Sequence, residues 1–269
     1  MLNLNFKFKQ CKKEFDDGNF EGALKSLECI KSDDSDYKFA LMLKYNCLMG
    51  LECYHDALSI INLLISENPY VLLLWFDKVK CHYFLDDLAS SINALNHAER
   101  LVDFDDFDEI ICFVKLCNMV GEYEIALKYC NFILDIDKTH VDALLEKSLI
   151  VTILNDKDMM NDCGNKLLEV CDGTLSSLMV PFALKLFSGR YKDCFDVILK
   201  ISRLDLKMCE ILKKVLYTQM LCDLDIQIWM DCNVGLSIDE SINLLMDYHY
   251  EKIEFGEIRD VKFIIIKQS

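Results

Sequence analysis

The hydrophobic pattern of this chain is periodic on two scales. On the short scale, apolar residues recur at offsets of three, seven and ten, which trace one face of a helix. On the long scale, the same face returns after 34 or 35 residues. The column Phe20, Tyr54, Leu88, Tyr123, Lys157 and Tyr191 advances by 34, 34, 35, 34 and 34. Three residues on stand Ala23, Ala57, Ser91, Ala126, Met160 and Cys194. Seven on stand Leu27, Ile61, Leu95, Cys130, Gly164 and Ile198; ten on stand Ile30, Leu64, Ala98, Ile133, Leu167 and Ile201. A small side chain in the first of these columns lets two helices approach closely. Two residues before the bulky column lie Gly18, Glu52, Asp86, Gly121, Asn155 and Gly189, most of them turn-tolerant. Each copy therefore reads as two helices joined by a tight turn. Lys157 and Gly164 interrupt apolar columns in the fifth copy, which predicts a loosely packed second helix there.

The recurring phrase is clearest in Gly18-Asn19-Phe20-Glu21-Gly22-Ala23, Gly121-Glu122-Tyr123-Glu124-Ile125-Ala126 and Gly189-Arg190-Tyr191-Lys192-Asp193-Cys194. Paired helices with this phrase and a period near 34 resemble the tetratricopeptide repeat. Trp75 stands where that family carries its tryptophan, and Glu67-Asn68-Pro69 closes the second copy as the family's Pro does. The resemblance spans residues 4–205, with copies at 4–37, 38–71, 72–106, 107–140, 141–174 and 175–205. It implies an all-α, right-handed superhelical solenoid of about six helix pairs. Lys7 and Gln10 in the first copy suit a solvated end repeat. The alternative is the pentatricopeptide family, which has a 35-residue period and binds single-stranded RNA. The dominant step of 34 and the acidic balance described below argue against it.

Beyond Ile201 the periodicity decays. Residues 206–222 read as one more amphipathic helix, the solvating cap such an array requires. Residues 223–269 form a separate small α+β-like segment. There Ser237-Ile238-Asp239-Glu240 is a capping-box signature opening a helix to about Tyr248. Tyr250–Phe255 and Val261–Lys267 read as a β-hairpin. The run Val261-Lys262-Phe263-Ile264-Ile265-Ile266 is aggregation-prone if bare, so it packs on the solenoid or pairs with a strand, its own or another chain's.

Composition narrows the function. The chain is 52% hydrophobic with only 9 Gly and 2 Pro, which favours helices with short connections. Its formal charge is −16, so it lacks the basic surplus that phosphate backbones or anionic membranes attract. No nucleic-acid or membrane partner is expected. The 14 Cys include no CxxC pair, and the 5 His show no ligand spacing. They read as small core residues in a reducing, cytoplasmic compartment, with no metal and no cofactor. The N-terminus has no apolar run of signal-peptide length. No phosphate loop or GxSxG phrase occurs, so no enzymatic activity is expected. Asp103-Phe104-Asp105-Asp106-Phe107-Asp108-Glu109 lacks the central Gly of a calcium loop and reads as helix capping.

The resemblance places the first helix of each pair on the inner, concave face. There the column Phe8, Met42, Phe76, Ile111, Leu145 and Met179 is apolar throughout. Four residues on come Lys12, Asn46, Lys80, Lys115, Leu149 and Ala183, then Phe15, Met49, Tyr83, Asn118, Thr152 and Leu186. A second apolar stripe on a helix implies a cover. The expected function is a protein–protein interaction scaffold that takes an amphipathic helix or an extended peptide. Its candidate groove residues are Met42, Asn46, Phe76, Lys80, Tyr83, Ile111, Lys115, Asn118, Leu145 and Met179. Lys80 and Lys115 would meet acidic groups of the ligand. The carboxylate clamp of chaperone-binding members is not intact, because Phe8 and Met42 stand where its polar residues would begin. The alternative is a structural subunit docked through its β-like tail, with the groove self-occluded. An oligomer formed through the C-terminal strand is also open.

Overall fold

The computed structural model describes residues 6–32, 34, 37–223, 226–229, 239, 242–243, 246, 255–258 and 261–267. The described helices follow one another in pairs along the sequence. They are α1 (Phe6–Asp16), α2 (Phe20–Leu27), α3 (Tyr37–Gly50), α4 (Tyr54–Glu67), α5 (Leu72–Phe84), α6 (Leu88–Glu99) and α7 (Phe107–Val120). Then come α8 (Tyr123–Ile136), α9 (Val141–Ile153), α10 (Lys157–Val170), α11 (Leu175–Phe187), α12 (Tyr191–Ile201) and α13 (Leu206–Asp223). The bulky column supplies the first residue of every second helix: Phe20, Tyr54, Leu88, Tyr123, Lys157 and Tyr191 open α2, α4, α6, α8, α10 and α12. The chain forms two compact units, Met1–Tyr129 and Cys130–Ser269, whose boundary falls within α8.

The turn inside each pair has one geometry repeated six times. Gly18, Glu52, Asp86, Gly121, Asn155 and Gly189 have φ of 78°, 59°, 57°, 85°, 54° and 76°. This left-handed residue ends the first helix. The N–H of the next residue then donates to the carbonyl five positions back, at 2.8–3.0 Å in all six copies, as in Glu122 to Cys117 and Arg190 to Lys185. That same next residue precedes the second helix as its N-cap position. Asn19, Asp87 and Asp156 accept there from the N–H of Gly22, Ser90 and Met159, at 3.1, 3.1 and 2.9 Å.

The small column packs as its spacing predicts. Ala23, Ala57, Ser91, Ala126, Met160 and Cys194 are all buried. Ser91 Oγ donates to the Val79 carbonyl at 2.9 Å, and the Cys194 thiol lies 3.9 Å from the equivalent Phe182 carbonyl. The column seven residues on is buried too. Gly164, the one residue of that column without a side chain, is buried against α11. A Cβ there would lie 3.5 Å from Leu184 Cβ and 3.6 Å from Lys185 Cε. Lys185 fills that space with its stem, and only 2% of the residue is exposed. Its ammonium donates to Asn161 Oδ1 at 2.8 Å and to Asn165 Oδ1, and pairs with Asp193 Oδ2 at 3.4 Å. The expected loose second helix of the fifth copy is therefore corrected: α10 is pinned by a buried lysine from α11.

In the first unit, Trp75 Nε1 donates to the Pro69 carbonyl at 2.8 Å, and the indole stacks on His97 at 4.5 Å. The acidic run caps α7: Asp106 Oδ1 accepts from the N–H of Asp108 and Glu109 at 3.0 and 3.1 Å. In the second unit, Leu178, Phe182, Tyr191, Ile198, Leu216 and Met220 form one core with Ile242. Asp239, Ile242, Asn243 and Met246 are helical, and Lys213 Nζ pairs with Asp239 Oδ1 at 2.9 Å. Further on, the strands β1 (Ile226–Trp229), β2 (Phe255–Ile258) and β3 (Val261–Lys267) pair antiparallel in the order β1-β3-β2. The start of the first copy at residues 4–5, the rest of the Ser237–Tyr248 helix and Tyr250–Glu254 lie outside the described residues.

Candidate functional site

α9 and α11 together present an exposed apolar surface in the second unit. α9 starts after His140, whose Nδ1 accepts from Ala143 N–H at 3.2 Å. α11 starts after Thr174, whose own N–H and Oγ1 are held by Asp172 Oδ1 at 3.0 and 2.8 Å. These hydrogen bonds hold the Asp172 carboxyl below the usual carboxylate range.

α9 buries Ala143, Leu144, Ser148, Ile150 and Val151. It nevertheless exposes Val141, Leu145, Leu149 and Ile153, each four residues from the last. Leu149 is 50% exposed. One buried stripe would suffice to hold the helix in place. α11 carries no charge except the buried Lys185, and it presents Met179, Val180, Ala183 and the 49% exposed Phe187.

Two cavities line this surface. One of about 440 Å³ lies between Val141 and Leu145 of α9, Leu167 and Val170 of α10, and Ser176 to Val180 of α11. The other, about 390 Å³, runs along Leu145, Leu149, Thr152, Met179, Ala183 and Phe187. They share Leu145 and Val180, so they form one trough. Asp172 is its one charged lining residue. The two hydroxyls on the α9 side are turned inward: Ser148 Oγ donates to the Leu144 carbonyl at 2.6 Å and Thr152 Oγ1 to the Ser148 carbonyl at 2.7 Å.

The ten expected groove residues divide. Leu145 and Met179 meet in this trough, as do Leu149, Thr152 and Ala183 from the neighbouring columns. Phe76 and Ile111 are corrected from open anchors to core residues. They are only 4% and 5% exposed, and the Phe76 ring lies 6.4 Å from Phe113, which meets Tyr129 edge-on at 5.1 Å. Met42 is half-buried against the core around Tyr45 and Leu48. Asn46, Tyr83 and Lys115 are exposed, and Asn118 is half-buried. Lys80 is half-exposed, with its ammonium 3.0 Å from Asp77 Oδ1 on its own helix. Sequence columns missed Val141, Ile153, Val180 and Phe187. Two signals pointed to them: α9 repeats apolar residues every four positions outside its buried stripe, and α11 holds a single charge.

The buried thiols are chemically quiet. Burial pushes Cys47 and Cys81 up to about 11 and Cys130 up to about 12. They stay protonated near neutral pH, and the thiolate is the nucleophile. Among the described residues no group of three His, Cys, Asp or Glu could hold a metal ion. Among them no helix is long and apolar enough to cross a membrane.

No family profile matches the chain. No curated protein matches it either. Solved structures do match. A tetratricopeptide repeat protein from Parabacteroides merdae superposes with a TM-score of 0.55 at 14% identity, covering 89% of this chain and 97% of that one. PilW, described as a widely conserved type IV pilus biogenesis factor, superposes with a TM-score of 0.53 at 14% identity, covering 79% and 97%. The six-fold turn geometry and these superpositions agree that the chain has the tetratricopeptide-repeat fold.

Proposed function

We propose that this chain is a protein-binding scaffold and that the α9–α11 trough is where its partner sits. One observation carries the reading. Val141, Leu145, Leu149 and Ile153 are exposed on a helix that already buries a separate apolar stripe, opposite an α11 surface without charge. Apolar surface of this extent stays unfavourable in water until something covers it. Among the described residues nothing fills it, which favours the groove over the self-occluded alternative. The C-terminal segment enters this reading as part of the second unit's core, through the buried Ile242, rather than as a free docking tail.

The test is capture of partners from source-cell lysate, quantified by mass spectrometry, with the full chain and its Leu149→Glu variant. Leu149 is half-exposed, so the variant keeps its melting temperature while losing its specific partners. A capture profile unchanged by Leu149→Glu refutes the trough.

A further inference from the structure

The geometry points to an amphipathic helix, rather than an extended peptide, as the partner segment, with a basic residue where it passes Asp172; this rests on the trough being the binding surface. The reason is the backbone of the ligand. An extended segment laid in an apolar trough buries N–H and C=O groups that need partners. The walls between Leu145 and Phe187 offer almost none. The hydroxyls of Ser148 and Thr152 donate to carbonyls of α9, and at the far end Thr174 donates to Asp172 and Ser177 to the Thr174 carbonyl, which leaves Ser176 and Asp172 as the side chains to meet a ligand backbone. Leu149 and Ala183 occupy the column that holds Asn46, Lys80 and Lys115 in the second, third and fourth copies. Each ligand backbone group buried there without a partner costs about 1–3 kcal/mol. A helix satisfies its own backbone and brings only side chains to the wall.

The shape of the walls agrees. Val141, Leu145, Leu149 and Ile153 form a ridge with four-residue spacing, and Met179, Ala183 and Phe187 form another across the valley. Ridges of this spacing interlock with the matching rows of a further helix. From Val141 to Ile153 the ridge is about 18 Å long at 1.5 Å per residue, so it takes a helix of roughly 12 residues. The single lining charge, Asp172, is ionised and lies at the α11 N-terminal end. It favours a Lys or Arg on the ligand there, as does the chain's net charge of −16.

The probe is a display library of random peptides about 16 residues long, selected on the full chain. Leu149→Glu serves as counter-selection. The expected winners depend on Leu149, place apolar residues at i, i+4 and i+7, gain helical circular dichroism on binding, and carry a basic residue at one end. Asp172→Asn, which preserves the Thr174 contact, weakens those peptides by about 3- to 5-fold at low salt and less at high salt. Leu149-dependent peptides that alternate apolar and polar residues, or that are acidic, overturn the helix inference and leave the trough standing. Selection that yields no Leu149-dependent peptide overturns the trough itself.

Discussion

Replacing Glu52 by Gly should stabilise this protein, although it deletes a whole side chain. Glu52 holds φ of 59° at the turn between α3 and α4. A left-handed conformation costs an ordinary L residue about 1–2 kcal/mol, because its Cβ crowds the following carbonyl. Glycine escapes that cost but loses more backbone entropy on folding, about 0.5–1 kcal/mol. The difference is a gain of roughly 0.5–1 kcal/mol. Glu52 is exposed, and among the described residues its side chain has no hydrogen bond or ion pair that would offset it. Asn155, at φ of 54°, should gain less from the same change, because Asn tolerates this region best after Gly. The reverse change is the control. A Cβ added at Gly121 meets nothing within 4 Å, so Gly121→Ala loses stability through φ of 85° alone, by about 1 kcal/mol. Urea unfolding followed by circular dichroism resolves these differences as shifts in midpoint at constant slope. If Glu52→Gly and Gly121→Ala both leave the midpoint unmoved, the turn does not impose the left-handed conformation and the repeat geometry described above is wrong.

Two further outcomes separate core from surface. Phe76→Ala should cost about 3–5 kcal/mol, because it empties a space beside Phe113, whereas Leu149→Ala should cost under about 1 kcal/mol; thermal melts of both variants check the contrast, and equal losses would place Leu149 in the core. Lys185→Ala should cost about 2–5 kcal/mol, since it opens a cavity against Gly164 and removes the partner of the half-buried Asn161 amide; Lys185→Met should recover part of that loss in the same melts by refilling the stem.

The fold was legible because a repeat reports each position several times over. No single residue announces the turn at Glu52 or Asp86, since neither type favours a left-handed backbone as Gly does. Their column does, because Gly18, Gly121 and Gly189 share it. The same averaging misled the site. The column Phe8, Met42, Phe76, Ile111, Leu145 and Met179 fixes a shared angle on the first helix, but exposure at that angle depends on what the next copy places over it. Phe76 is covered by Phe113, two residues beyond its own column partner Ile111. In the fifth copy, by contrast, Leu145 is 37% exposed and lies beside Met179 of the sixth. Column identity therefore specifies which way a side chain sets out, and what the neighbouring helix places over it decides whether it reaches water. The trough is where that cover is missing, and for that reason a pattern shared by all copies could not single it out.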